Sequence, residues 1–125
     1  MTKSWRKKQD DEEGGSNYYT GLFMNQISKN QERVVVKPGK NIVASMADEL
    51  RSQLHGLVQA SPHELVIDFD GVEMVDSVGI GVILAAHNSL DEIGGSLRLT
   101  NVASDIYTLF IIMRLDHHFT IEKSE

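Results

Sequence analysis

The chain has no cysteine among its 125 residues, which excludes disulfides, thiolate catalysis and cysteine-ligated zinc sites. It also lacks any run of about 20 apolar residues, the length that a helix needs to cross a bilayer. Its amino terminus is charged and polar, without the short apolar core of a secretion signal. From these absences we expect a cytoplasmic protein that does not bind a membrane.

Positive charge is also in short supply. The chain carries 12 basic against 18 acidic side chains, a net charge of −6. A protein with this balance repels a phosphate backbone on average, so we expect no nucleic-acid partner. Hydrophobic residues make up 41% of the chain, enough for one core in a chain of this length.

The first residues differ in composition from the rest. Residues 1–17 place a basic cluster directly before an acidic one and end in glycine, serine and asparagine. Such a segment has almost nothing to bury. We therefore predict a disordered charged tail at 1–17 and one folded domain at 18–125.

Strand-like and helix-like segments alternate along the folded part. Strands are predicted at 18–24, 34–36, 65–69, 97–100 and 119–121, with a polar turn at 28–31. The apolar run at 65–69 is typical of a strand buried on both faces. The order β-β-α-β-α-β-α-β indicates an α/β domain with a mixed, mostly parallel sheet packed against helices.

Each of the three predicted helices begins at a serine. Ser45 and Asp48 have the spacing of a capping box, and Ser77 and Ser104 precede the apolar stripes of the second and third helices. The third stripe consists of Ile106, Leu109, Phe110 and Met113. Gly94 and Gly95 are expected to end the second helix.

The serine of the second helix could take several roles. A hydrolase elbow needs glycine two residues before its serine, where this chain has Val75. The candidate bases His87, His117 and His118 are poor, because His87 lies on a buried-looking stripe and the other two point to opposite faces of an extended strand. The remaining interpretations of Ser77 are a helix cap and a phosphoacceptor, since a helix start favours both.

A second line of small residues runs along the same helix. Val78, Val82, Ala85 and Ser89 recur at helical spacing opposite the core stripe, where core helices usually carry charge. Either a neighbouring helix covers this line or a partner protein docks on it.

Three separated blocks of the sequence resemble one known family. They are LVIDFDGV at 65–72, VDSVGIGVIL at 75–84 and GGSLRLTNV at 94–102. In this order they resemble the STAS domain of bacterial anti-sigma-factor antagonists, over about residues 22–121. The segment Asp-Ser-x-Gly-x-Gly is the most specific part of the resemblance.

The resemblance implies a regulatory binding protein and not an enzyme. Its partner would be a serine/threonine kinase of the anti-sigma-factor type, which releases the domain on phosphorylating Ser77. A phosphatase could reverse the modification. The resemblance is also compatible with a homodimer. ATP would belong to the kinase, so no cofactor and no metal are expected here. The acceptor loop and partner-binding surface would comprise Asp76, Val78, Gly79, Gly81, Val82 and Asn41.

One region departs from the family pattern. Where relatives usually carry two carboxylates after the second strand, this chain has Lys40 and Asn41. The partner could therefore differ from the kinases of sporulation or general stress. A constitutive scaffold in a stress-sensing or lipid-transport complex, with Ser77 only a cap, is the alternative function.

Overall fold

The structure is a computed structural model that describes the backbone of Gln26–Lys29 and all of residues 33–125. The predicted tail at 1–17 and the predicted strand at 18–24 lie outside these residues. The described elements follow in the order β1 Gln26–Lys29, β2 Arg33–Lys37, α1 Ala44–Val58, β3 Glu64–Asp68, α2 Ser77–Glu92, β4 Ser96–Val102, α3 Ser104–Ile112, a 3-10 helix Leu115–His117 and β5 Thr120–Lys123. The predicted element order is confirmed, with the short 3-10 helix as an addition.

The five strands form one mixed sheet in the order β1-β2-β3-β4-β5. β1 pairs antiparallel with β2, and the other three pairs are parallel. The polar turn predicted to start at Ser28 is wrong, because Ser28 and Lys29 pair with Val35 and Val34. Ladder hydrogen bonds to β2 outweigh the weak strand propensity of these polar residues.

All three helices lie on one face of the sheet. Each helix connects one parallel strand to the next in the same direction, and right-handed crossovers then place every helix on the same side. The sheet residues Leu65 and Leu99 and the helix residues Leu50, Ile83 and Phe110 accordingly share one buried core. Phe110 meets Phe69 edge-on, with ring centroids 6.0 Å apart.

The opposite face of the sheet carries a row of charges. Glu64 forms ion pairs with Arg33 at 3.4 Å and with Arg98 at 3.0 Å, and Arg98 also pairs with Glu122. The hydrogen bond that Arg98 donates to Glu64, followed by the one that it donates to Glu122, raises the pKa of Arg98. Val66 lies on this face beside Arg98 and is only 2% exposed, so β3 is buried on both faces as predicted.

The serine caps predicted for α1 and α3 are wrong. α1 and α3 begin after Val43 and Ala103, neither of which makes a side-chain capping bond. Ser45 and Ser104 lie inside the first turns. The apolar stripe predicted for α3 is also only half buried.

In that stripe Ile106 and Phe110 are buried, whereas Leu109 and Met113 are 39% and 43% exposed. A nine-residue helix beside the edge of the sheet meets the core along a stripe narrower than its apolar pattern. Within 26–29 and 33–125, no helix combines the length and apolar character required to cross a membrane.

α1 buries one polar side chain without satisfying it. Gln53 is 7% exposed, and its Oε1 accepts no hydrogen bond from the described residues. A buried carbonyl without a donor costs roughly 1–3 kcal/mol. The position therefore reduces the free energy of unfolding.

We expect Gln53→Met to raise the free energy of unfolding by about 1 kcal/mol, because methionine has a similar shape and no group to leave unpaired. Urea denaturation checks this. Gln59→Met, at the exposed end of the same helix, is the matched control and should change little. A destabilised Gln53→Met protein would contradict the expectation.

Candidate functional site

Ser77 is the first residue of α2 and follows the loop that leaves β3. The loop therefore lies at the carboxyl ends of the parallel strands, where open α/β sheets usually bind their ligands. Ser77 is exposed. Nothing in 26–29 or 33–125 hydrogen-bonds its hydroxyl group.

The cap of α2 is Asp76, so the expectation that Ser77 caps the helix is wrong. Asp76 has an extended backbone, and its Oδ1 accepts the Gly79 N–H at 2.8 Å. Its Oδ2 accepts the N–H of Ala44, the first residue of α1, at 2.9 Å. One carboxylate thus caps two helices, which explains why α1 has no cap of its own.

These bonds stabilise the ionised form of the carboxyl. The N–H of Gly79, followed by that of Ala44, holds the pKa of Asp76 below its usual value. Asp76 is therefore an anion at neutral pH. Its charge lies at the positive ends of both helices.

The loop before Asp76 is braced from the segment that follows β2. Asn41 Oδ1 accepts two backbone bonds, from Glu73 at 2.8 Å and from Met74 at 3.0 Å. The Ile42 N–H donates to the Met74 carbonyl at 3.0 Å, and Ile42 forms a parallel bridge with Val75. The position of Ser77 therefore depends on a loop held at three consecutive residues.

The two glycines of the motif meet different surroundings. A Cβ on Gly79 would lie 2.2 Å from the Ile42 carbonyl oxygen, closer than a non-bonded Cβ can approach. A Cβ on Gly81 would meet nothing within 4 Å. Gly79 is thus required for packing against Ile42, whereas Gly81 leaves the helix surface open.

Two exposed apolar side chains flank the serine along the chain. Val78 is 42% exposed and Met74 is 57% exposed, and both are among the most exposed large hydrophobic side chains of the described part. Val82, also predicted to contact a partner, is 2% exposed and lines a groove of about 210 Å³ together with α1. Of the two explanations for the small-residue line, packing against a neighbouring helix applies to Val82, whereas Ala85 is exposed and lines the same groove with half-buried Ser89.

The five histidines of the chain all lie far from Ser77. His87 is ten residues further along α2, about 15 Å along the helix axis, and His118 lies against it with ring centroids 5.7 Å apart. His117 lies in the 3-10 helix and not in an extended strand, which corrects that expectation. His55 and His63 lie at the end of α1 and just before β3. Ser77 therefore has no imidazole base in this conformation.

The comparisons with known proteins agree with this architecture. The family model described as STAS domain matches residues 25–125, and the chain therefore belongs to the STAS domain family. No curated relative matches the chain.

Solved structures resemble it in fold. An anti-sigma factor antagonist from Mycobacterium paratuberculosis has a TM-score of 0.69 at 24% identity, over 78% of this chain and 82% of that one. The Bacillus cell fate determinant SpoIIAA in its phosphorylated form has a TM-score of 0.62 at 18% identity, over 77% and 88%. Its unphosphorylated form has a TM-score of 0.63 at 17% identity, over 80% and 88%.

Two features of the site escape sequence reasoning. The first is the capping of α1 by Asp76, which lies 32 residues from Ala44. The second is the exposure of Met74. An aspartate beside a serine is the only available signal for the first, and both residues cap equally well.

We expect replacement of Asp76 to destabilise the protein, with Asp76→Ala having a larger effect than Asp76→Asn. Asparagine keeps one carbonyl oxygen for one of the two amides, whereas alanine has none. Thermal unfolding checks the order. Asp105→Asn, at the first turn of α3, is the control and should lower the Tm less than Asp76→Asn does.

The advantage of wild type over Asp76→Asn should also depend on pH. Because the folded pKa of Asp76 is lowered, its contribution is complete above the unfolded value of about 3.9 and disappears as the pH falls through the folded pKa. Tm values compared between pH 7 and acid check this. A constant difference across the range would contradict the assignment.

The motif glycines offer a second matched pair. Gly79→Ala should lower the free energy of unfolding by roughly 1–3 kcal/mol through overpacking against Ile42. Gly81→Ala should raise it by about 0.5–1 kcal/mol, because alanine favours a helix interior and meets no neighbour. Denaturant titrations of the two variants check both signs, and equal effects would contradict the geometry.

Proposed function

We propose that this protein is an anti-sigma-factor antagonist whose binding to a partner is controlled by phosphorylation of Ser77. It is a regulatory binding protein, and the modifying enzyme is a serine/threonine kinase of the anti-sigma-factor type. A phosphatase would restore the unmodified form.

The observation that carries the proposal is the free hydroxyl of Ser77. Asp76 performs the capping, so Ser77 is not required to begin α2. Its side chain is exposed at the first helical position, where the amides and the dipole of the helix favour a phosphate. A kinase can therefore modify it without unwinding the helix.

Phosphorylation would change the surface more than the fold. It adds about −1.5 to −2 charges beside the Asp76 carboxylate, which is already ionised. The neighbouring Met74 and Val78 side chains are apolar and exposed. A partner that buries this surface would then have to bury a cluster of negative charge, which is costly.

The proposed contact residues follow from exposure. Met74, Val78 and Gly81 are exposed next to Ser77, and the open surface above Gly81 admits a close approach. Asn41 and Gly79 act indirectly in this proposal, because Asn41 holds the loop amides and Gly79 packs against Ile42. Lys40, on the same edge, replaces a usual carboxylate and would select a partner different from those of sporulation or general stress.

Solved structures of similar fold support the proposal. SpoIIAA has been solved in both phosphorylated and unphosphorylated forms, and it shares the fold of this chain. The first experiment is phosphosite mapping by mass spectrometry on the protein from its own cells under varied growth conditions. Phosphate on Ser77 that changes with conditions supports the switch, whereas an unmodified Ser77 in a stable complex favours a constitutive scaffold.

We expect Ser77→Asp to bind the partner kinase at least tenfold more weakly than Ser77→Ala, a difference of about 1.4 kcal/mol. Calorimetry with the purified kinase measures this. Ser104→Asp is the matched control, since Ser104 is the exposed first residue of α3. It should bind like wild type, and equal binding by the two Ser77 variants would rule out a charge-operated switch.

A further inference from the structure

A separate cavity lies at the end of α2 opposite Ser77. It has a volume of about 330 Å³ and opens between the last turns of α2, the start of β4 and the segment before β5. Asp91 lies 14 residues beyond Ser77, about 21 Å along the helix axis. The cavity is therefore distinct from the candidate phosphorylation site.

Two carboxylates and an aromatic wall line this cavity. Asp91 comes from α2, and Asp116 comes from the 3-10 helix. The wall consists of His87, His118 and Phe119, with the His87 ring centroid 5.7 Å from that of His118 and 5.4 Å from that of Phe119. These walls come from elements far apart in the sequence.

Within the described residues, the carboxylates of the cavity form no ion pair, although three imidazoles, those of His87, His117 and His118, also line it. No lysine or arginine of this part of the chain lines the cavity. The last turn of α2 contains no basic residue. Asp91 therefore lies at the negative end of a helix dipole, where a carboxylate is unfavourable and a cation is favoured.

From this arrangement we propose that the cavity binds an organic cation, a guanidinium or alkylammonium group on an aliphatic stem. The two aspartates would pair with the charged head, and guanidinium suits two carboxylates because it has five donors. The aromatic wall would cover the aliphatic stem. Nowhere in 26–29 or 33–125 are three or more ligating side chains arranged to hold a metal ion, which favours an organic cation over a metal.

The source of such a group is a free amine or the arginine side chain of another polypeptide. Agmatine represents the first, and Nα-acetyl-arginine amide represents the second. Titration of the full chain with each probe, followed by amide NMR shifts, tests binding. Either probe should cause saturable shifts at Asp91, Ser96 and 116–120, and the probe that binds more tightly identifies the source.

Two double variants decide whether the cavity is the site. Asp91→Asn with Asp116→Asn should weaken binding at least tenfold. Glu92→Gln with Glu49→Gln removes the same charge from exposed positions outside the cavity and should leave binding nearly unchanged. The first pair should also fold normally, because removing Asp91 relieves repulsion at the helix end.

The proposal fails if neither probe gives saturable shifts. It fails equally if both double variants weaken binding to the same extent, since the effect would then come from net charge alone. Binding to this cavity does not involve Ser77, so these outcomes are independent of the proposed switch. Ser77→Asp should bind agmatine like wild type.

Discussion

The carboxylate of Asp76 is the interaction on which the site depends. It accepts the amide of Ala44, the first residue of α1, and that of Gly79 in the first turn of α2, and so joins the starts of two helices that are far apart in the chain. The loop before it is held in turn by Asn41 and by the Ile42 bridge. Because the anion performs the capping, the adjacent serine keeps an exposed hydroxyl that the fold does not use.

The direction of the connections between the strands determines where functional sites can form. All crossovers run in one direction, so the helices cover one face and leave the charged row of Glu64 and Arg98 on the other. Helix starts gather at one edge of the sheet and helix ends at the opposite edge. The serine therefore meets a positive dipole end, whereas the cavity at Asp91 meets a negative one.

Much of the fold could be predicted from the sequence because hydrophobic periodicity reports burial directly. The apolar run at 65–69 predicts a central strand, and the spacing from Ile80 to Leu90 predicts α2. The errors concern helix starts. A hydroxyl and a carboxylate are equally good caps, so the pair Asp76 and Ser77 leaves the cap undetermined, and Ser45 and Ser104 have the right residue type at the wrong position.

By itself, the sequence determined the class of fold, the order of its elements and the location of the Asp76-Ser77 motif, since these depend on local pattern and spacing. The tertiary structure decided that Asp76 caps α1 as well as α2, that Val82 is buried against α1, and that Asp91 and Asp116 share a cavity. The physical reason is that these properties arise from contacts between residues some 25 or more positions apart. Local patterns carry no information about such contacts.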